Sequence, residues 1–328
     1  MVRGGGSPPA IHMATANPQA EDLYLQGMYQ AYQASPASTQ KAVDLFQQAV
    51  AQDPSFARAY YGIAMAEINL VSTTAISAEQ GIPRARAAAQ RAVDLDPAVS
   101  AAWGLLGSVT YSWDWNWDQA EKDFRRALDQ GPGAGIRENY GWALATRGRF
   151  AEAHEQLRLA AQQDPLAVTP AFNEWFVYYF ERNLEGQKEM VRNMLRIHPN
   201  YFAAHVMNQS IALQQKDCGT ARREADWFVK NLPTLPVTQS MLFGAAWCSG
   251  DRSEALLRIH NMQSSRAPSY QLAGAWAMMG DREKALVELT KSADGHEGQI
   301  LYLKYDQVFD AIRSDPRFVA LEKRVGLV

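Results

Sequence analysis

The sequence is poor in the features that staple or strongly charge a fold. It has only two cysteines in 328 residues, Cys218 and Cys248, with no CxxC spacing. That is too few for a disulfide scaffold and lacks the ligand pattern of a zinc or thioredoxin-type site. The formal net charge is −3, without the clustered Lys and Arg that nucleic acid or an anionic membrane surface requires, so a nucleic-acid partner is not expected. No apolar run approaches the roughly 18 residues needed to cross a bilayer, and direct membrane insertion is not expected either. Residues 1–20 carry no apolar core of signal-peptide length; Gly4 to Gly6, Ser7, Pro8 and Pro9 read as a flexible linker or expression remnant. The compartment is left open: cytoplasmic, or periplasmic if the chain belongs to a longer membrane-anchored protein.

What the chain does have is periodic proline. Eight of its fifteen prolines are Pro54, Pro97, Pro132, Pro165, Pro199, Pro233, Pro268 and Pro316, and from Pro97 to Pro268 the intervals are 35, 33, 34, 34 and 35 residues. A period near 34 marks a stacked repeat array rather than two globular domains. Most of these prolines follow an amphipathic segment such as VDLFQQAVAQDP or KDFRRALDQGP, and Pro ends a helix because it lacks an N–H and clashes with the preceding turn. Upstream lie small residues that let two helices approach, including Ala42, Ala85, Ala120, Ala153, Ala221, Ala255 and Ala285. Between the helices of several units the turns RGRF (147–150), SGDR (249–252) and MGDR (279–282) offer a glycine for the left-handed closure of a helix. Each unit is predicted to be a helical hairpin that buries its second face only by stacking on its neighbours.

The segment AWGLLGSVTYSWDWNWDQAEKDFRRALDQGP (102–132), with Trp103, Leu106, Gly107, Ala120, Phe124, Ala127 and Pro132, resembles the tetratricopeptide repeat family. The resemblance implies an all-α, right-handed superhelical solenoid of about eight hairpins over residues 21–299, closed by a C-terminal capping element at 300–328. Departures are a longer connector in the first unit, an insertion near STTAISAEQGIPR in the second, and Gln187 and Met194 where the fifth should carry small residues. The opening EDLYLQGMYQAYQASPASTQKAVDLF and the ending LYLKYDQVFDAIRSDPRFVALEKRVGL are similar to the C-terminal repeat region of bacterial signalling proteins. Those proteins carry a winged-helix regulator, adenylate-cyclase or kinase module upstream. No such module lies in these 328 residues, so the resemblance implies an input role rather than an output activity.

Catalytic patterns are not evident. There is no GxxxxGK, and GPGAG at 131–135 sits at a repeat boundary where Gly and Pro make a connector. The six histidines form no i,i+4 pair and no HExxH, and no Ser or Cys lies in a GxSxG turn. Neither a metal nor a cofactor is expected, and the chain does not read as an enzyme. Asn208-Gln209-Ser210 fits a glycosylation pattern but falls within a predicted helix.

In the family resembled, the first helix of each hairpin lines a concave groove. Projection onto those helices places Tyr24, Met28, Tyr32, Tyr61, Met65, Tyr111, Trp142, Phe172, Phe176, Tyr179, Trp247 and Tyr270 on or near that face, with Glu21, Arg58 and Glu138 as the main charges. The face lacks the Lys residues of a chaperone-type carboxylate clamp. Tyr and Trp instead offer broad rigid contact with a polar tip. The expected partner is a protein or peptide with an apolar or aromatic segment, and self-association through apolar surface is open. A small-molecule or lipid sensor in the same groove is the alternative, with an enzyme on the solenoid a third class. In FNEWFVYYFERN (172–183), Trp175 and Tyr178 are expected to pack between repeats while Phe172, Phe176 and Tyr179 face the groove; Trp113, Trp115 and Trp117 are expected to be packing residues. Cys218 and Cys248, 30 residues apart, should share an edge of adjacent units, either as a disulfide or as two small buried side chains.

Overall fold

A computed structural model describes residues 15–33, 35–73, 75–165 and 167–327. Among them there is no strand; the chain is all-α, and eight consecutive hairpins account for its first sixteen helices. They are α1 (Pro18–Tyr32) with α2 (Pro36–Gln52), α3 (Ala57–Ser72) with α4 (Ala78–Leu95), α5 (Ser100–Ser112) with α6 (Trp117–Gln130), and α7 (Ala134–Thr146) with α8 (Phe150–Gln163). Then follow α9 (Thr169–Phe180) with α10 (Leu184–Ile197), α11 (Phe202–Gln214) with α12 (Cys218–Asn231), α13 (Val237–Cys248) with α14 (Arg252–Ser264), and α15 (Ser269–Met278) with α16 (Arg282–Asp294). Two 3₁₀ turns, Gly298–Tyr302 and Gln307–Ile312, lead into α17 (Pro316–Arg324).

The chain divides into two compact units. The first runs to Asp114 and adds Asp118–Ile136; the second takes Trp115–Trp117 and Arg137 onward. In the first, α2 packs on α3 and α4 on α5, so each second helix is shared with the next hairpin. The same alternation holds in the second unit for α8 with α9, α10 with α11, α12 with α13 and α14 with α15.

Small residues set the interhelical distance. The fully buried Phe46 ring of α2 lies where a Cβ on Gly27 of α1 or Gly62 of α3 would come within 2.6 and 2.8 Å of it. One aromatic ring is thus clasped by glycines from two different hairpins. Gly107 gives the same clearance to Phe124, and Gly141 to Leu157. In the fifth hairpin the close approach moves to Gly186, which faces the Tyr178 ring, while Gln187 is buried and accepts from Gln214 at 2.9 Å. The insertion in the second hairpin is absorbed by the connector and the opening turns of α4, which contain Pro83.

From the fourth hairpin to the eighth, closure follows one rule. Gly148, Gly250 and Gly280, the glycines of the three turns read from the sequence, adopt φ of 76°, 79° and 79°. Arg182 and Lys216 hold the equivalent position in their hairpins at φ of 61° and 56°. After each comes the bond of a Schellman motif, as from Asn183 N to Tyr178 O, Asp217 N to Ala212 O, Asp251 N to Ala246 O and Asp281 N to Trp276 O. Those four residues then cap the next helix, accepting from Gly186 N, Thr220 N, Glu254 N and Lys284 N. Two residues therefore end one helix and begin the next.

The amino-terminal limit differs from the expected linker over 1–20. Asn17 caps α1, Pro18–Ala20 are helical, Ala20 is fully buried, and the Thr15 hydroxyl donates to Asp53. An N-cap followed by Pro starts a helix wherever the next turn can bury a small residue. The remainder of that expectation, residues 1–14, lies outside the described residues.

A charged bridge joins two hairpins of the second unit. His154 of α8 places Nδ1 2.6 Å from Glu174 of α9 and Nε2 3.0 Å from Glu181, its C-cap. The hydrogen bond to Glu174, reinforced by Glu181 and opposed by burial, raises its pKa from 6.5 to about 9. A cation favoured by folding contributes stability that is complete below the unfolded pKa and is lost as pH rises through the folded one.

Two outcomes are expected. Gly62→Ala should cost about 1–2 kcal/mol in denaturant unfolding, because overpacking against an immobile ring outweighs the ~1 kcal/mol gain of Ala over Gly in a helix. The melting temperature should fall from pH 6.5 to 9, and His154→Gln should remove that part of the slope.

Candidate functional site

The first helices α7 and α9 of the second unit share an aromatic face. Trp142 of α7 meets Phe176 of α9 edge-to-face at 5.2 Å; Phe176 meets Phe172 at 5.2 Å; Trp175 stacks on Tyr179 at 5.3 Å. These residues cluster because α9 has aromatics spaced three and four apart, which puts them on one flank. As the sequence suggested, Trp175 is buried between repeats and Tyr178 packs beside His154 and Gly186.

The chain itself covers that face. The segment Gly298–Arg313 lies across α7, α9 and α15, so the closing element does more than cover the last hairpin. Tyr302 packs edge-to-face on Trp142 at 5.1 Å and tilted on Phe176 at 5.4 Å, and Phe309 lies edge-to-face on Tyr270 of α15 at 5.3 Å. Between these anchors sits Asp306. Its Oδ1 accepts from the Tyr179 hydroxyl at 2.7 Å and from Val308 N at 3.1 Å, while Oδ2 accepts from the Tyr270 hydroxyl at 2.9 Å. Gln307 Nε2 donates to Tyr179 O at 2.7 Å, taking up a carbonyl at the end of α9. Arg182 pairs with Asp310 at the rim, where both are exposed.

Burial holds the Asp306 carboxyl above the usual carboxylate range, against the opposing hydrogen bonds from Tyr179, Val308 and Tyr270. Burial, and then the Asp306 charge, push the Tyr179 and Tyr270 hydroxyls well above their ordinary value. At neutral pH both are therefore donors. Among the described residues no Lys or Arg side chain binds this carboxylate directly; Arg313 instead ties the segment's own backbone, donating to Leu303 O at 3.1 Å and Asp306 O at 2.8 Å. Glu297 anchors the entry of the segment by accepting from Ser269 N and Tyr270 N at the start of α15, where an anion is favoured.

The other residues expected at a groove are spread differently. In the first unit Tyr24, Met28, Tyr61 and Met65 are half-buried on the side of the helices that also carries Tyr32, which is 80% exposed, and the exposed Arg58. Tyr24 rests against Phe46 and Phe56. Tyr111 is buried, at 4% exposure, as are its α5 neighbours Val109 and Thr110. Glu138 is half-buried and raised by burial. Trp247 donates to Met278 O at 2.7 Å, tying α13 to α15. Trp115 stacks on His296, and Trp117 donates to Val325 O and lies under Arg147; these serve packing within the second unit. Asn208 is mid-helix and gives its amide nitrogen to Glu224. Sequence reasoning missed Asp306 and Gln307, which stand among several other polar residues of the closing segment with no motif to mark them.

Cys218, opening α12, and Cys248, closing α13, are joined in a disulfide with Cα atoms 5.3 Å apart. The bond crosses from the sixth hairpin to the seventh. Among the described residues no group of three His, Cys, Asp or Glu side chains could hold a metal ion, and no helix is long and apolar enough to cross a membrane.

Residues 116–168 match the family model of the tetratricopeptide repeat. The array as a whole is tetratricopeptide-like in fold. The fold is similar to that of human IFIT1, solved as a dimer with m7Gppp-AAAA (TM-score 0.62, 16% identity, 92% of this chain and 71% of that one). It is also similar to yeast Tom70 (TM-score 0.56, 15% identity, 96% and 69%) and to PilW, a type IV pilus biogenesis factor (TM-score 0.53, 21% identity, 66% and 96%). In sequence, 195 residues are 22% identical to the transcriptional regulator HilA of Salmonella typhimurium, over 59% of this chain and 34% of the regulator. The chain thus spans about a third of the curated relative it matches.

The disulfide sets an expectation. Thiol titration of denatured, unreduced protein should find no free thiol, and reduction should lower stability by about 3–4 kcal/mol, the loop-closure entropy for roughly 30 residues.

Proposed function

We propose that this tetratricopeptide protein is a protein-recognition scaffold whose first helices bind an apolar, aromatic segment of another protein, and that it serves as the sensory part of a bacterial signalling or regulatory system. The observation that carries the reading is the occupied aromatic face: the side chains of α7, α9 and α15 already accommodate a non-repeat peptide segment through Tyr302 and Phe309. Aromatic anchors that exclude water supply most of the energy at such contacts. The regulatory assignment rests on the similarity to HilA, a transcriptional regulator. Repeat scaffolds of this class act by presenting a long lateral surface rather than a reactive centre.

In the first unit the matching positions are Tyr24, Met28, Tyr61 and Met65, with Tyr32 and Arg58 open beside them. These are the positions assigned to an external partner. Phe172 and Trp247 are assigned to a face of the second unit, described by itself.

Affinity capture from the source organism checks this. Tyr61→Ala with Met65→Ala should reduce recovery of the partner at least about thirtyfold, as expected for the loss of about 2 kcal/mol at a hot spot, with helicity unchanged by circular dichroism. Leu257→Ser, on the exposed side of α14, should leave recovery unaltered. Equal recovery with all three chains would refute recognition through the first helices.

A further inference from the structure

The segment covering the aromatic face is built as a ligand is built. It has no place in the 34-residue repeat, it consists of two 3₁₀ turns rather than a helix of the array, and such turns have poorer hydrogen-bond geometry than an α-helix. Its hold on the face is discrete: one aromatic in a ring-lined slot, one carboxylate between two hydroxyls, one buried Phe. The carboxylate is the informative element. Burying an ionisable group against neutral donors carries a desolvation cost that an apolar residue of similar size would avoid. A closure selected for stability alone would be apolar there; a closure that must be read would present a group to be read.

We propose that the face formed by α7, α9 and α15 is a peptide site that recognises a carboxylate through the paired hydroxyls of Tyr179 and Tyr270, and that residues 298–312 occupy this site in cis. The partner it fits is a protein segment carrying an acidic residue with an aromatic four positions before it and another three positions after it, the spacing of Tyr302, Asp306 and Phe309. This rests on the recognition role proposed above and names the chemistry of its ligand. The two hydroxyls converge as donors, so they discriminate by charge and shape: an amide in place of the acid would turn two donor hydrogens toward a region that offers donors. Sites whose buried polar groups lose their partner reject such analogues strongly. Arg182 at the rim meets Asp310, an exposed pair that orients a segment more than it holds one.

The test uses the full chain and a labelled synthetic peptide of its own residues 298–313, GQILYLKYDQVFDAIR, followed by fluorescence anisotropy. An occupied site weakens apparent affinity by the fraction of molecules in which it is open, so the peptide should bind the Asp306→Ala chain at least about tenfold more tightly than the wild-type chain. Adding Tyr179→Phe and Tyr270→Phe to that variant should remove the gain, and a peptide carrying Asp306→Asn should fail to bind. A folded Asp306→Ala chain that takes the peptide no better than wild type would overturn the proposal and leave the segment a permanent closure. If Asp306→Ala does not fold, hydrogen exchange on the wild-type chain decides: residues 298–312 should exchange while α15 and α16 stay protected, and exchange of all three only together would overturn it. Loss of recognition as such would register separately, in capture by the Tyr61→Ala, Met65→Ala chain.

Discussion

A helix pair of this kind has two apolar flanks and can satisfy only one by itself, so everything depends on how closely the next pair can approach. The Phe46 ring shows the constraint most directly: it sits between Gly27 and Gly62, glycines of consecutive hairpins, with no room for a methyl group on either. The half of that joint within one hairpin, a large residue on the second helix against a glycine on the first, recurs with Phe124 at Gly107 and Leu157 at Gly141. Such a joint is short-range and nearest-neighbour, which is why an array can be built from units that would not fold alone.

Because the joint consumes the small and large positions of the inner flanks, the outer flank of each first helix is free to carry other residues. In the second unit those residues are aromatic, and an aromatic face left bare would be costly in water. The chain covers it with its own closing segment, and the cover includes a buried acid. The hydroxyls of Tyr179 and Tyr270 make that acid tolerable, since both stay protonated at neutral pH and converge on opposite oxygens. Packing and recognition thus become two uses of the same surface. The disulfide between Cys218 and Cys248 adds a covalent tie between the two hairpins that precede α15, limiting how far that part of the face can loosen.

The turns show how little sequence is needed when local geometry does the work. A left-handed residue followed by Asn or Asp closes one helix and caps the next at 182–183, 216–217, 250–251 and 280–281. Two of these four use Arg and Lys in the left-handed position, where a glycine rule alone would have found nothing. The proline period located those hairpins all the same, because each proline marks where a second helix can no longer continue.

The periodic prolines, the alternation of small and large residues and the helix-closing turns determined by themselves that this chain is an all-α array of about eight tetratricopeptide-like hairpins. Each of those signals is local, acting within one hairpin or between neighbours, so a linear reading captures it. The aromatic character of the first helices was legible for the same reason, as was the proximity of the two cysteines, one repeat apart. Only the tertiary structure decided that Tyr111 is buried, that the helix α1 begins before the expected linker ends, and that Trp142, Phe176, Tyr179 and Tyr270 are covered by residues 298–312. Tyr179 and Asp306 are 127 positions apart. No periodicity relates them, and their contact exists only because stacking brings α9 and α15 to one face across which a non-repeating segment can lie.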